Sequence, residues 1–120
     1  MAKTLGRDIE ADDEQLRFGN GYDHNFSITG SGYREAAEIY CEESGIRMTV
    51  LTDLPGLQLY TANGMKDEPG KGGAIYGRRC AAAFETQYFP DAINKFNFEG
   101  GLLRAGEEFR SRTTYAFSAV

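Results

Sequence analysis

The stretch Glu35-Ala36-Ala37-Glu38-Ile39-Tyr40-Cys41-Glu42-Glu43-Ser44-Gly45-Ile46-Arg47-Met48-Thr49-Val50-Leu51 decides the fold. Ala37, Ile39 and Cys41 alternate with Glu38, Tyr40 and Glu42. Ile46, Met48 and Val50 then alternate with Arg47, Thr49 and Leu51. Alternation with period two is the mark of a strand that buries one face. Glu43-Ser44-Gly45 between the two runs is a hairpin loop, because glycine supplies the backbone freedom a short turn needs. The stretch therefore predicts an antiparallel hairpin.

The same pattern repeats on both sides of it. Asp53-Leu54-Pro55-Gly56 is a turn, and Leu57-Gln58-Leu59-Tyr60-Thr61 is the next strand. Residues 63–73 are rich in glycine and proline and read as a mobile loop. Gly70-Lys71-Gly72 lacks the spacing of a phosphate loop and no helix pattern follows it. Residues 80–89 read as a strand, and Pro90 opens a short helical turn through Asn94. The last strand runs from Arg112 to Phe117, with Tyr115 and Phe117 toward the core. Upstream of the hairpin, Gly19-Asn20-Gly21 is a turn, and Phe26 and Ile28 alternate with polar neighbours in a short strand. Residues 3–20 predict no helix of useful length. About six or seven short strands with glycine turns and no long helix predict an all-β fold, an antiparallel β-sandwich, in one domain over residues 1–120.

The totals agree with a small globular domain. The chain has 120 residues, 41% hydrophobic and 26% charged. A chain of this length buries roughly two-thirds of its unfolded surface. Net charge is -5, from 18 acidic and 13 basic residues. An acidic balance argues against nucleic acid, whose phosphates need a basic face. The acidic run Glu10-Ala11-Asp12-Asp13-Glu14 reads as a solvated loop without metal-loop spacing. Cys41 and Cys80 form no Cys-x-x-Cys pair, which argues against zinc and dithiol redox sites and favours free, buried thiols. One disulfide between them is the alternative. No apolar run has membrane-spanning length and no signal peptide is evident, so the expectation is a cytoplasmic protein with no membrane partner. Asn25-Phe26-Ser27 matches a glycosylation sequon, read here as chance.

The chemistry rests on few residues. Glu85 is a lone carboxylate in the aromatic run Phe84-Glu85-Thr86-Gln87-Tyr88-Phe89. Burying an unpaired charge is costly, so such a group is paired, useful or turned to solvent. An apolar setting would shift it toward the range of a general base. Asp23, flanked by turn residues, is its best carboxylate partner. Such a pair suits acid/base work or the holding of sugar hydroxyls, because ionised carboxylates accept several hydrogen bonds. Tyr22, Tyr60, Tyr88 and Phe89 suit stacking on a sugar ring or ordinary packing. His24 is the one histidine, with no nucleophile motif beside it, so a triad has no support.

Several segments together resemble one family. Gly21-Tyr22-Asp23-His24-Asn25-Phe26 looks like the substrate loop of the aldose 1-epimerase (galactose mutarotase) family. Thr52-Asp53-Leu54-Pro55-Gly56-Leu57-Gln58-Leu59-Tyr60-Thr61 resembles its Thr-Asp-x-Pro-Gly-x-Gln-x-Tyr strand. Glu85-Thr86-Gln87, followed by Pro90-Asp91-Ala92 and Asn94, is similar to its catalytic Glu-x-Gln segment. Leu103 with Gly106-Glu107, then Thr114-Tyr115 with Phe117, resembles its closing strands. Order and spacing match over nearly the whole chain. The resemblance implies a galactose mutarotase-like supersandwich and exchange of the α and β anomers of aldoses such as galactose or glucose, without cofactor or metal. It implies that Glu85 is the general base and that Asp23 binds sugar hydroxyls. It covers only the C-terminal part of the family's longer chain. The family's general-acid histidine, a second binding histidine and a binding arginine lie upstream of that part, and no such role transfers to His24. An aldose sugar and an N-terminal complementing chain are the expected partners. The alternatives are a non-catalytic carbohydrate-binding or interaction module and self-association through open sheet edges.

Overall fold

In the computed structural model, which describes residues 3–120, the deciding stretch folds as the expected hairpin. In chain order the elements are helix α1 (Glu14–Gly19), then strands β1 (Asp23–Ser27), β2 (Arg34–Cys41), β3 (Ile46–Thr52), β4 (Gly56–Tyr60), β5 (Glu68–Pro69), β6 (Ile75–Tyr76), β7 (Ala83–Gln87) and β8 (Thr113–Ala119). Short 3-10 turns occupy Leu5–Arg7, Lys71–Gly73 and Ala92–Asn94. The strands form sheets in the orders β1-β4-β7, β2-β3-β8 and β5-β6. The pairings β2/β3, β3/β8 and β5/β6 are antiparallel. The chain is thus all-β, as its alternating runs predict. No described helix is long and apolar enough to cross a membrane.

The backbone divides into two compact units. One runs to His24 and takes in Gln58–Glu85, and the other comprises Asn25–Leu57 and Thr86–Val120. In the second unit the hairpin register is Ala37↔Val50, Ile39↔Met48 and Cys41↔Ile46, with a bulge between Glu35 and Ala37. β8 adds Tyr115 opposite Val50 and Phe117 opposite Met48. Paired residues share a face, so Ile39, Met48, Val50, Tyr115 and Phe117 line one side of this sheet. Val50 and Thr52 are fully buried. Tyr115 and Phe117 lie on the expected face but are 44% and 69% exposed. The alternation set their side correctly, but not their burial.

Arg34 ties the second unit together at the start of β2. Its guanidinium donates to the carbonyls of Thr29 (2.9 Å), Gly32 (2.8 Å), Ile28 (3.2 Å), Thr52 (3.3 Å) and Leu54 (3.3 Å). Gly56 opens β4 where backbones converge. A Cβ there would stand 2.8 Å from Asn25 Oδ1 and 3.1 Å from the Gln87 carbonyl, so only glycine fits.

In the first unit Ile9, Leu59 and Ala62 are buried. The acidic run is exposed, as its composition suggests, and residues 10–13 lie outside the regular elements; several of its side chains are also put to use. The Asp13 side chain caps α1 by accepting from the Gln15 and Leu16 amides, Asp12 pairs with Arg17, and Glu10 pairs with Arg79. Aspartate is a preferred N-cap because it satisfies amides that the first turn leaves open. Residues 63–73, read as loop, take part in a small ladder: Glu68 pairs with Tyr76 and Pro69 with Ile75. Strand β1 begins at Asp23, earlier than the alternation of Phe26 and Ile28 indicates, and Tyr22 just before it is already bonded to Thr61.

Candidate active site

The loop before β1 is held by buried polar groups of the first unit. The Tyr22 carbonyl accepts from the Thr61 amide (3.1 Å) and from Asn63 Nδ2 (2.8 Å). Asn63 Nδ2 also donates to the Gly19 carbonyl at 2.9 Å, and Thr61 Oγ1 donates to Asn63 Oδ1 at 2.7 Å. Thr61 and Asn63 are buried, and burial of polar groups is tolerated because each is hydrogen-bonded. Gly21 has φ +135°, and a Cβ there would lie 2.3 Å from Asn63 Oδ1. Only glycine lets the chain pass this close and turn into β1.

That clamp delivers Asp23 to the first position of β1, exposed to solvent. Asp23 Oδ1 accepts from Gln58 Nε2 at 2.7 Å. The short charge-assisted bond fixes one carboxylate oxygen and leaves the other carboxylate lone pairs toward solvent. Gln58 sits on β4 between buried Leu57 and Leu59, so alternation turns it to the opposite face. Its Oε1 is buried with no hydrogen-bond partner. His24 follows Asp23 and accepts at Nδ1 from the Asp23 amide (2.9 Å), which leaves the ring proton on Nε2. Its ring packs edge-on against Tyr22 at 6.1 Å.

Glu85 occupies the middle of β7. It is exposed, between half-buried Phe84 and Thr86, so its carboxylate reaches water. The strand is anchored immediately beyond it, where Thr86 Oγ1 shares a 2.5 Å hydrogen bond with Thr113 Oγ1. Asp23, Gln58 and Glu85 all belong to the first unit and stand on β1, β4 and β7, the three consecutive strands of one sheet. The arrangement offers two carboxylates and an amide, which suits the binding of hydroxyl groups and proton transfer to or from them.

The aromatic candidates have structural employment. The Tyr60 hydroxyl accepts from the Gly64 amide at 3.0 Å, Tyr88 lies 6.3 Å from Phe109, and Phe89 lies 4.9 Å from Phe98. Asp91, past Pro90, takes the left-handed conformation at φ +59° and accepts from Asn94 Nδ2, starting the 3-10 turn later than proline alone indicates. Its carboxyl is held below the usual range by Asn94 first and then by Lys95. Both cysteines are free and exposed, not buried. Cys41 ends β2 at the hairpin turn, where hydrogen bonds from Ser44 hold its thiol below the ordinary value. Among the described residues no group of three or more His, Cys, Asp or Glu side chains is arranged to hold a metal ion. Sequence reasoning quoted Gln58 within a motif but gave it no role. Its signal was a lone amide in an apolar strand.

Comparison with known proteins identifies the family. Residues 1–116 match the sequence profile of the family described as aldose 1-epimerase. Galactose mutarotase of Homo sapiens is 41% identical over 103 residues, which cover 84% of this chain and 30% of that protein. Aldose 1-epimerase of Escherichia coli (strain K12) is 33% identical over 122 residues, covering 98% of this chain and 35% of that protein. The crystal structure of a GalM/aldose epimerase homologue from C. elegans matches 98% of this chain and 35% of its own, with a TM-score of 0.81 and 29% identity. The chain spans about a third of the length of the relatives it matches. On sequence and fold together, the chain belongs to the aldose 1-epimerase family.

Proposed function

We propose that this chain supplies the base half of an aldose anomer-exchange site. Glu85 is the general base, Asp23 holds sugar hydroxyls, and Gln58 positions the Asp23 carboxylate. The observation that carries the reading is the Gln58–Asp23 bond between β4 and β1, in the sheet where β4 adjoins the strand that bears Glu85, in a chain of this family. In the reaction Glu85 takes the proton of the anomeric hydroxyl. The bond between C1 and the ring oxygen breaks, and the ring oxygen takes a proton from a general acid. The open aldehyde rotates about C1–C2, and the ring recloses on the other face with the proton transfers reversed. The substrate is an aldose such as galactose or glucose, handled in the cytoplasm by residues 1–120 acting as one domain.

The general acid is a histidine on an N-terminal complementing chain or segment. The exposure of Ile46, Phe117 and Val120, at 50%, 69% and 63%, supports a complement. Exposed apolar area of this kind marks a surface that another body covers. Polarimetry on freshly dissolved α-galactose and α-glucose tests the reading. The complemented chain accelerates the drift in optical rotation, and Glu85→Gln abolishes the acceleration. No acceleration after complementation, or a rate that Glu85→Gln leaves intact, overturns it.

A second reading is a non-catalytic sugar-binding module, favoured by the solvent-facing Asp23 and Glu85. It predicts sugar-dependent shifts at both residues in the isolated chain, with no change in anomer exchange under any complementation. The same exposed apolar residues also suit self-association. A mass above the monomer that sugar leaves unchanged would mark that outcome.

A further inference from the structure

Outside the carboxylate site, the first unit contains an arginine-lined cavity that the proposed function does not use. It has a volume of about 210 Å³ and is lined by Arg17, Arg78 and Arg79, with Glu10 the one acidic side chain in its wall. Ile9 and Leu16 supply apolar wall. We propose that this cavity binds a phosphate-class oxyanion.

The charge balance favours an anion. Arg17 is matched by Asp12. Arg78 and Arg79 share a single carboxylate, with Arg79 Nη1 at 2.7 Å and Arg78 Nη1 at 3.9 Å from the same Glu10 oxygen. One positive charge is left over at the cavity, on a chain whose net charge is -5. The donors are also incompletely used. Arg79 Nε is buried with no hydrogen-bond partner. A buried guanidinium donor without an acceptor costs free energy, which an oxyanion admitted to it by displacement of Glu10 would recover.

The backbone explains why two adjacent arginines reach one place. Consecutive side chains of an extended strand point to opposite sides. Arg79 instead has φ +64°, the left-handed region, and its amide donates to the Ala62 carbonyl at 3.1 Å. That turn brings both guanidinium groups to Glu10. Arg78 is fixed further by donating from Nη2 to the Asn20 carbonyl (3.2 Å) and Oδ1 (3.1 Å). The groups are preorganised, and a guanidinium fork matches two oxygens of a phosphate. Glu10 stands where the anion would sit. Its side chain is 70% exposed, so it can swing into water and release both arginines. It therefore acts as an internal competitor.

The test is a titration of the full chain with inorganic phosphate, replacing chloride at constant ionic strength, followed by NMR at the Asn20 and Gly21 amides and the arginine Nε–H signals. Saturable shifts are expected. Arg79→Gln weakens binding by about tenfold, the loss expected for one charge-assisted hydrogen bond. Glu10→Gln tightens it, a gain that misfolding cannot produce. A parallel titration with methyl phosphate separates the sources. Equal binding identifies the phosphoryl group of an ester as ligand, and binding of inorganic phosphate alone identifies the free ion. Phosphate also raises the melting temperature of the unaltered chain by mass action. Shifts that stay linear, that chloride reproduces, or that neither Arg79→Gln nor Glu10→Gln alters overturn the proposal.

Discussion

Replacing Arg34 with methionine keeps the apolar stem and removes every donor. Five carbonyls lose their partner. Those of Thr29 and Gly32 are bonded at the exposed side and rehydrate at little cost. The bonds to Ile28, Thr52 and Leu54 are part-buried, at 3.2–3.3 Å. Nη1 has two hydrogens and serves three of the five acceptors, so its bonds are shared and individually weak. At about 1 kcal/mol for each part-buried carbonyl, the loss is about 3 kcal/mol. A domain of this size has about 5–15 kcal/mol in total, so the change is large. It corresponds to a fall of roughly 10 °C in melting temperature. Urea unfolding followed by circular dichroism measures it directly, with the midpoint moving and the slope unchanged. Arg34→Lys keeps the charge but cannot span the same five acceptors, and recovers less than half of the loss. A loss below about 1 kcal/mol for Arg34→Met, or full rescue by lysine, refutes the reasoning.

Gly21→Ala places a Cβ against Asn63 Oδ1 in a backbone region that disfavours side chains. It costs about 2–3 kcal/mol in unfolding experiments and shifts the Asp23 resonances. The Asp91 carboxyl, lowered by Asn94 and then Lys95, titrates below the usual range in carbon-detected NMR. Its contribution to stability is present above the ordinary carboxylate pKa and is lost as pH falls through the lowered folded value. Asn94→Ala moves the titration back toward the ordinary value. The Cys41 thiol, lowered chiefly by the Ser44 side chain, reacts with iodoacetamide near neutral pH faster than in Ser44→Ala. An unchanged rate would count against the Ser44 hydrogen bond.

The hairpin was legible because its alternation is long and its loop is short. Register then followed, and Ile39, Met48 and Val50 share a face as read. What alternation does not report is what covers that face. Tyr115 and Phe117 sit on the correct side and are still exposed. A local pattern specifies direction, while burial depends on distant segments. The acidic run is exposed as read, but composition hides its pairing across the chain: Glu10 meets Arg79 sixty-nine residues away. The small β5/β6 ladder was masked by glycine and proline, which dominate any propensity reading of residues 63–73. For the candidate site, the resemblance put Asp23 and Glu85 forward as the working carboxylates. The structure adds the Gln58 bond to Asp23, which spans 35 residues; the lone amide in an apolar strand marked Gln58 but not its partner.

The most direct measurement of the central reading is the anomerisation rate of α-galactose with the chain supplemented by the N-terminal part of a full-length relative, compared between Glu85 and Glu85→Gln. The account predicts a catalysed rate that falls by at least about a hundredfold in the variant, as expected for loss of a general base. A catalysed rate that persists in Glu85→Gln would contradict it.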